Sequence, residues 1–298
     1  MSVKWKRINH KYHWRLFLMY LKVFLLLSCE QELEEGCLDY RYTNFLVNAD
    51  INCSQCCKLP ELRILLRHRI SQGDSLYPVN YLNQPYGLIS GDSFFIENIS
   101  FILSDFQVVN LDNKVIPSLD STYIRTINQQ KDSVFYTFLN SFLIGNPELF
   151  QKKKVGAIFH DGVGVKSLKF HLGVNNTVNS LGPTYFPVNH PLFVSQNSLY
   201  QKDKGYIFAN MDLKWKDQSK KFPSNLSLNG NQFNTLIEIP VSAVFRAGYH
   251  QEVTIEVDYG IWFKQIDFSR DSQEMIRQKW LNNLVTSFKV VSVMEKID

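Results

Sequence analysis

The chain has 298 residues, 45% of them hydrophobic and 14% aromatic against 20% charged. That length and balance suit one large β domain or two small ones with a sizeable buried core, and exclude an intrinsically disordered polypeptide. The formal charge of +4 comes from the first 28 residues, which hold Lys4, Lys6, Arg7, Lys11, Arg15 and Lys22 and no acid; the remainder carries 26 basic and 28 acidic residues, which leaves nucleic-acid binding without support.

Residues 1–28 read as an export signal. A basic stretch precedes the apolar run Val23-Phe24-Leu25-Leu26-Leu27, and Leu26-Leu27-Ser28-Cys29 has the spacing of a bacterial lipobox. In that chemistry the Cys29 thiol becomes a diacylglycerol thioether and its amine is freed by cleavage. The run is too short to span a bilayer. The expectation is a protein held to the membrane by its N-terminal lipid in the bacterial cell envelope, at the periplasmic or outer-membrane face, with its folded part in water. The basic stretch is long for a signal and Lys22 interrupts the apolar run, which a start at Met19 explains. Residues 29–36 then form an acidic tether (CEQELEEG).

Residues 37–58 are a cysteine-rich segment. With Cys29 lipidated, Cys37, Cys53, Cys56 and Cys57 are an even set in an oxidising compartment, and two disulfides are expected. Three connectivities exist, of which a Cys56–Cys57 bridge is the most strained. Cys53-Ser54-Gln55-Cys56 lacks the strand-to-helix context of a redox motif and the second pair of a zinc site. Between the cysteines, Asp39, Asn44, Asn48, Asp50 and Asn52 offer hard oxygens for calcium. The alternate-residue pattern of a calcium loop is absent, so Asx-rich turns are expected instead.

Residues 59–298 read as one domain. Leu59 to Ile70 suits helix or edge strand, with Arg63, Arg67 and Arg69 on a solvated face. Phe94 to Val109 alternates as a strand before a turn at Asn110–Lys114, and Val134 to Ile144 is another. Pro147 suits the first position of a helical turn. Val155 to Phe159 is a strand entering a tight turn at His160-Asp161-Gly162. Thr235 to Arg246 contains Pro240, which confines it to an edge or a bulge. Glu252 to Phe263 alternates, with Val253, Ile255 and Val257 inward. Asp271 to Glu274 has capping-box spacing, and Ile276, Trp280, Leu281 and Leu284 make a helical stripe. A strand over Phe288 to Val293 closes the chain. This pattern predicts a mainly β protein, an antiparallel Greek-key β-sandwich with one C-terminal amphipathic helix.

The most informative stretch is Leu168 to Trp215. Strand alternation at each end brackets about thirty irregular residues, more than a hairpin needs. Phe170, Leu172-Gly173-Val174, Asn179, Gly182-Pro183, His190-Pro191 and Gly205-Tyr206-Ile207-Phe208 resemble the methanobactin-associated periplasmic copper-binding proteins, the MbnP-like family. The resemblance runs from about Leu59 to the C-terminus, implies a strand at Leu59 to Ile70, and implies copper as a ligand. The family carries tryptophans before the Gly-Tyr pair where this chain has Tyr200, Gln201 and Lys202, so the family's oxidised-tryptophan chemistry does not carry over.

No nucleophile elbow, metalloprotease helix, phosphate loop or kinase signature is present, and a non-enzymatic protein is expected. Imidazole suits copper. Among His68, His160, His171, His190 and His250, His171 on the strand and His190 in the loop are the candidate ligands, with Tyr200 or Met211 nearby. The alternative is an envelope binding or structural module without metal. It would meet a protein or glycan partner through Tyr185, Phe186, Phe193 and Tyr200. Convergent histidines favour copper; separated histidines favour the module.

Overall fold

A single 18-residue strand carries most of the architecture. The structure, a computed structural model, describes residues 32–79, 84–88, 90–127, 133–148, 152–193 and 199–297. The export signal and Cys29 lie outside the described residues. The strands are β1 (Glu35–Gly36), β2 (Ile51–Asn52), β3 (Glu61–Gln72), β4 (Ser75–Pro78), β5 (Tyr86–Gly87), β6 (Ser93–Asn110), β7 (Val115–Ile116), β8 (Ser121–Ile127) and β9 (Ser133–Leu139). They continue as β10 (Phe142–Gly145), β11 (Lys152–Ala157), β12 (Val163–Leu172), β13 (Tyr200–Gln201), β14 (Gly205–Trp215), β15 (Asn225–Asn229), β16 (Thr235–Phe245), β17 (His250–Asp258) and β18 (Phe288–Lys296). Helix α1 spans Asn176–Ser180 and α2 spans Gln273–Val285.

β6 is buried continuously from Ile99 to Ser104, as an apolar run covered on both faces requires. Phe101 pairs with Gly145 of β10 and Ala209 of β14, while Ser104 pairs with Phe142 of β10 and His171 of β12. β14 and β12 therefore follow one another along the same edge of β6, opposite β10. The nine-stranded sheet runs β13-β14-β6-β12-β16, with β5, β7, β10 and β15 attached. Its edge strand β16 places Pro240 opposite Ser167 at a register shift, where a missing N–H breaks no regular ladder.

The second sheet runs β11-β3-β17-β18, with β4 on β3. β3 is a strand, and it pairs with β17 in parallel, an exception to the expected antiparallel pattern. Phe288 of β18 meets Phe101 and Phe170 of the first sheet at ring-centroid distances of 5.9 and 5.5 Å. Trp262 links Phe101 to Trp280 of α2 at 5.9 and 5.6 Å. Each such ring contributes about 1.5–3 kcal/mol by leaving water. The result is a sandwich of two mostly antiparallel sheets with its main helix near the C-terminus.

Local chemistry corrects several boundaries. The strand expected over Val134–Ile144 is two: Asn140 and Ser141 interrupt it, and the Ser141 carbonyl and hydroxyl take the N–H groups of Asp105 and Phe106. β9 then pairs with β8 alone, and β10 with β6. Pro147 lies in a turn in which Asn146 Oδ1 accepts the Glu148 N–H at 2.8 Å. The α2 cap is Ser272, one residue later than expected, with Oγ accepting the Met275 N–H at 3.2 Å. Asp271 instead bonds Lys279 at 2.7 Å.

Glu252 and Glu256 occupy outward positions of β17 yet are buried, because Lys152, Arg67, Arg69 and Lys289 fold over them. Lys152 and Lys289 each approach a carboxylate to 2.8 Å. The β3 arginines thus join an ion-pair roof rather than a purely solvated face.

In the N-terminal segment one disulfide forms, Cys37–Cys57. The expected second bridge is not formed; Cys53 and Cys56 are thiols on one turn, where the Cys56 N–H meets Cys53 Sγ at 3.1 Å. Asp39 makes the expected Asx turn, its Oδ1 accepting the Arg41 N–H at 3.0 Å, whereas Asn44, Asp50 and Asn52 accept the sequence-distant N–H groups of Lys58, Glu34 and Leu38 and cross-link the segment. Arg41 stacks over Phe159 at 4.4 Å and so seats this segment on the sandwich.

Two outcomes follow from this packing. Gly173 has φ +89°, and a Cβ there would collide with the Phe208 ring. Gly173→Ala should lower unfolding free energy by about 2–5 kcal/mol, combining left-handed strain with overpacking; denaturant unfolding with unchanged stability would refute this. His68 contacts the Tyr259 hydroxyl at 2.6 Å, and burial lowers its pKa to about 4. Its unfolded pKa is about 6.5, so the unfolded chain takes up the proton first as pH falls. Its contribution is intact above about pH 6.5 and lost on descending through about pH 4. Melting temperatures across that window should decline less steeply in His68→Gln, and parallel curves would refute the assignment.

Candidate binding site

The central loop starts where β12 stops. Gly173 donates its N–H to the Ile102 carbonyl at 2.8 Å and accepts the Ser104 hydroxyl at 2.7 Å. Val174 is buried, and Asn175 caps α1 through Oδ1, which accepts the Val178 N–H at 2.9 Å. Asn179 Oδ1 accepts the Tyr206 N–H at 2.8 Å, tying the start of the loop to the strand that ends it. The Tyr206 hydroxyl donates to the Leu192 carbonyl at 3.0 Å. Leu181, Phe186, Leu192 and Leu199 are buried, so the loop is packed down rather than projecting. Of the four aromatics expected on an open face, Phe186 is buried, Phe193 and Tyr200 are half-buried, and only Tyr185 is exposed.

The two candidate histidines have opposite chemistry. Asn234 donates through Nδ2 to the Val174 carbonyl at 2.9 Å, which turns its Oδ1 towards His171 Nδ1, 2.7 Å away. His171 is therefore the Nδ1–H tautomer, and its Nε2 lone pair has no hydrogen-bond partner among the described residues. His190 is fully engaged: Nδ1 accepts the Leu192 N–H at 3.1 Å and Nε2 donates to Asn140 Oδ1 at 3.1 Å. It stacks on Phe186 at 4.6 Å, and burial, aided by the charge of Lys153, lowers its pKa to about 4. Lys153, Lys154 and Asp120 line the same cavity of about 270 Å³, with Asp120 paired to Lys154 at 3.0 Å. His171 fits a copper ligand oriented by an amide partner; His190 has no free lone pair, so it does not fit. Among the described residues no three His, Cys, Asp or Glu side chains form a metal-binding group.

Asp105 stands beside His171 and breaks the alternation of Phe101 and Leu103 with a carboxylate. Its φ of +56° marks the register shift between β6 and β12. Burial pushes its pKa up. A carboxylate at a core-facing position of an otherwise apolar strand was the signal for this bulge.

A cleft of about 480 Å³ is lined by Thr137, Phe138, Asn175, Asn176, Thr177, Asn231 and Asn234. Three separate elements meet there: β9, the start of α1, and the turn over Asn231–Phe233. Asn179 Nδ2 donates to Asn231 Oδ1 at 2.8 Å and joins the last two. These asparagines were legible only as turn formers, because Asn175-Asn176-Thr177 and Asn229 to Asn234 lie far apart in sequence.

The MbnP family matches residues 60–278. No curated protein matches the chain. Among solved structures, MbnP from Methylosinus trichosporium is similar at 12% identity and a TM-score of 0.41, over 71% of this chain and 80% of that one. The family match spans well over half of the sequence, and the chain belongs to the MbnP family.

Proposed function

We propose that this protein is an exported, lipid-anchored, non-enzymatic binding module of the bacterial cell envelope. The observation that carries the reading is the separate fate of the two imidazoles: His171 is capped by Asn234 and His190 by Asn140, and His190 keeps no lone pair for a metal. MbnP is a periplasmic family, and no helix among the described residues is long and apolar enough to cross a membrane. The lipobox at Leu26–Cys29 supports attachment through Cys29.

Copper handling is the second reading. Family membership and the resemblance of the central segment support it, as does the free Nε2 of His171. Copper there would hold His171 in its present tautomer, with Asn234 orienting the ring, and would draw its other ligands from outside the cluster seen here. Calcium at Asp39 and Asp50 has less support, because those carboxylates already serve Arg41 and the Glu34 N–H.

Two measurements test these readings. Cys29→Ser should move the protein from the detergent-extracted membrane fraction to the soluble fraction, and an unchanged distribution would end the lipid-anchor reading. Elemental analysis after loading with Cu(I) or Cu(II) and desalting should give little copper in the wild type. Near-stoichiometric copper lost in His171→Ala but kept in His190→Ala would replace the metal-free reading with copper handling; copper lost in both would restore the two-histidine site.

A further inference from the structure

We propose that the asparagine cleft binds an uncharged saccharide. Its wall combines four asparagines, two threonines and one phenylalanine, with no charged side chain among the described residues. An anionic or cationic ligand would find no counter-charge there, whereas hydroxyl groups would find donors and acceptors in close succession.

Several of those groups are free. Asn175 spends Oδ1 on the helix cap and keeps Nδ2 available. Asn231 spends Oδ1 on Asn179 and likewise keeps Nδ2. The Asn176 amide and the hydroxyls of Thr137 and Thr177 have no hydrogen-bond partner among the described residues. A side-chain amide offers a donor and an acceptor about one diol width apart, so it pairs with vicinal hydroxyls in the way it pairs with other planar donor–acceptor edges. Phe138 adds the apolar component. It is half-buried and braced by Phe142 and Phe186 at 6.0 and 5.9 Å, so its ring is a fixed surface for the C–H face of a sugar.

The bonds already spent make the cleft preorganised. Asn234 is held by His171 and the Val174 carbonyl, Asn231 by Asn179, and Asn175 by its own helix. Those three asparagines have little side-chain freedom left to lose on binding. A volume of about 480 Å³ accommodates one or two sugar rings, with the remainder of a chain in solvent.

The test uses the full chain in detergent and titrates maltotriose, cellotriose and triacetylchitotriose by calorimetry and saturation-transfer NMR, with trigalacturonate as a charged comparison. At least one neutral trisaccharide should bind with a Kd of about 1 mM or tighter. Asn176→Ala removes a partnerless amide, and Asn231→Asp keeps the acceptor for Asn179 while removing the free donor. Together they should weaken binding about tenfold without shifting the melting temperature, and Phe138→Ala should weaken it to a similar degree. The proposal fails if none of the three neutral sugars saturates by about 10 mM. It also fails if the double variant binds as the wild type does, or if trigalacturonate binds as tightly.

Discussion

The close approach of β12 to β14 at Gly173 governs what the central segment can become. No side chain fits between the Gly173 backbone and the Phe208 ring, and φ +89° turns the chain away from β6 at that point. The Gly173 N–H and carbonyl remain bonded to Ile102 and Ser104, so the departure leaves no buried polar group unpaired. The next residue presents its carbonyl to Asn234 Nδ2, and that bond decides which atom of Asn234 faces His171. A backbone geometry open only to glycine thus sets the tautomer of an imidazole two residues upstream.

Charge is distributed to match two different tasks. On the second sheet, Glu252 and Glu256 sit under lysine and arginine side chains, and each buried carboxylate keeps a cation at hydrogen-bond distance. Removing one partner from such a roof strands the other, so it holds the outer face of β17 in one arrangement at modest net stability. Around His190, Lys153 and Lys154 share the cavity with Asp120, which pairs with Lys154 at 3.0 Å. The asparagine cleft carries no formal charge among the described residues. A cation therefore finds no free lone pair at His190, one at His171, and no counter-charge among the described residues of the cleft.

The alternating strands were legible in the sequence because a half-buried strand writes its faces into every second residue. β6 and β14 fall where Phe94–Val109 and Ile207–Trp215 predicted them; β12 already starts at Val163 and stops at Leu172, and β17 ends at Asp258, so Ile261–Phe263, expected in that strand, forms a helical turn instead. The turn at His160–Gly162 is also as expected, with the Gly162 N–H meeting His160 Nδ1 at 3.0 Å. Failures came where a single bond outweighed periodicity. Ser141 splits β9 from β10 by capturing two N–H groups of β6, and Ser272 rather than Asp271 caps α2 because Lys279 already holds the aspartate. The histidines show the limit more sharply. His171 and His190 look equivalent as residues, and only their asparagine partners, 63 and 50 positions away, separate a ligand-ready ring from a structural one. The cleft was illegible for the same reason, since its asparagines converge only after β12, β14 and β16 are assembled.

Asn234 connects the two readings of the central segment. Its side chain lines the cleft and, through Oδ1, holds the Nδ1–H of His171. A ligand that competes for Asn234 Oδ1 would free Nδ1 and permit the other tautomer, withdrawing the Nε2 lone pair that a metal needs. A metal on Nε2 would in turn lock Nδ1–H onto Oδ1 and keep that acceptor from the cleft. Occupancy of the cleft through Asn234 and metal binding at His171 are then antagonistic by linkage, each weakening the other by the same factor. A ligand served by Asn175, Asn176 and Asn231 alone would leave His171 untouched, because their free groups share no bond with it. Which of those two relations holds depends on one amide oxygen, and that oxygen owes its orientation to the carbonyl of Val174 next to Gly173.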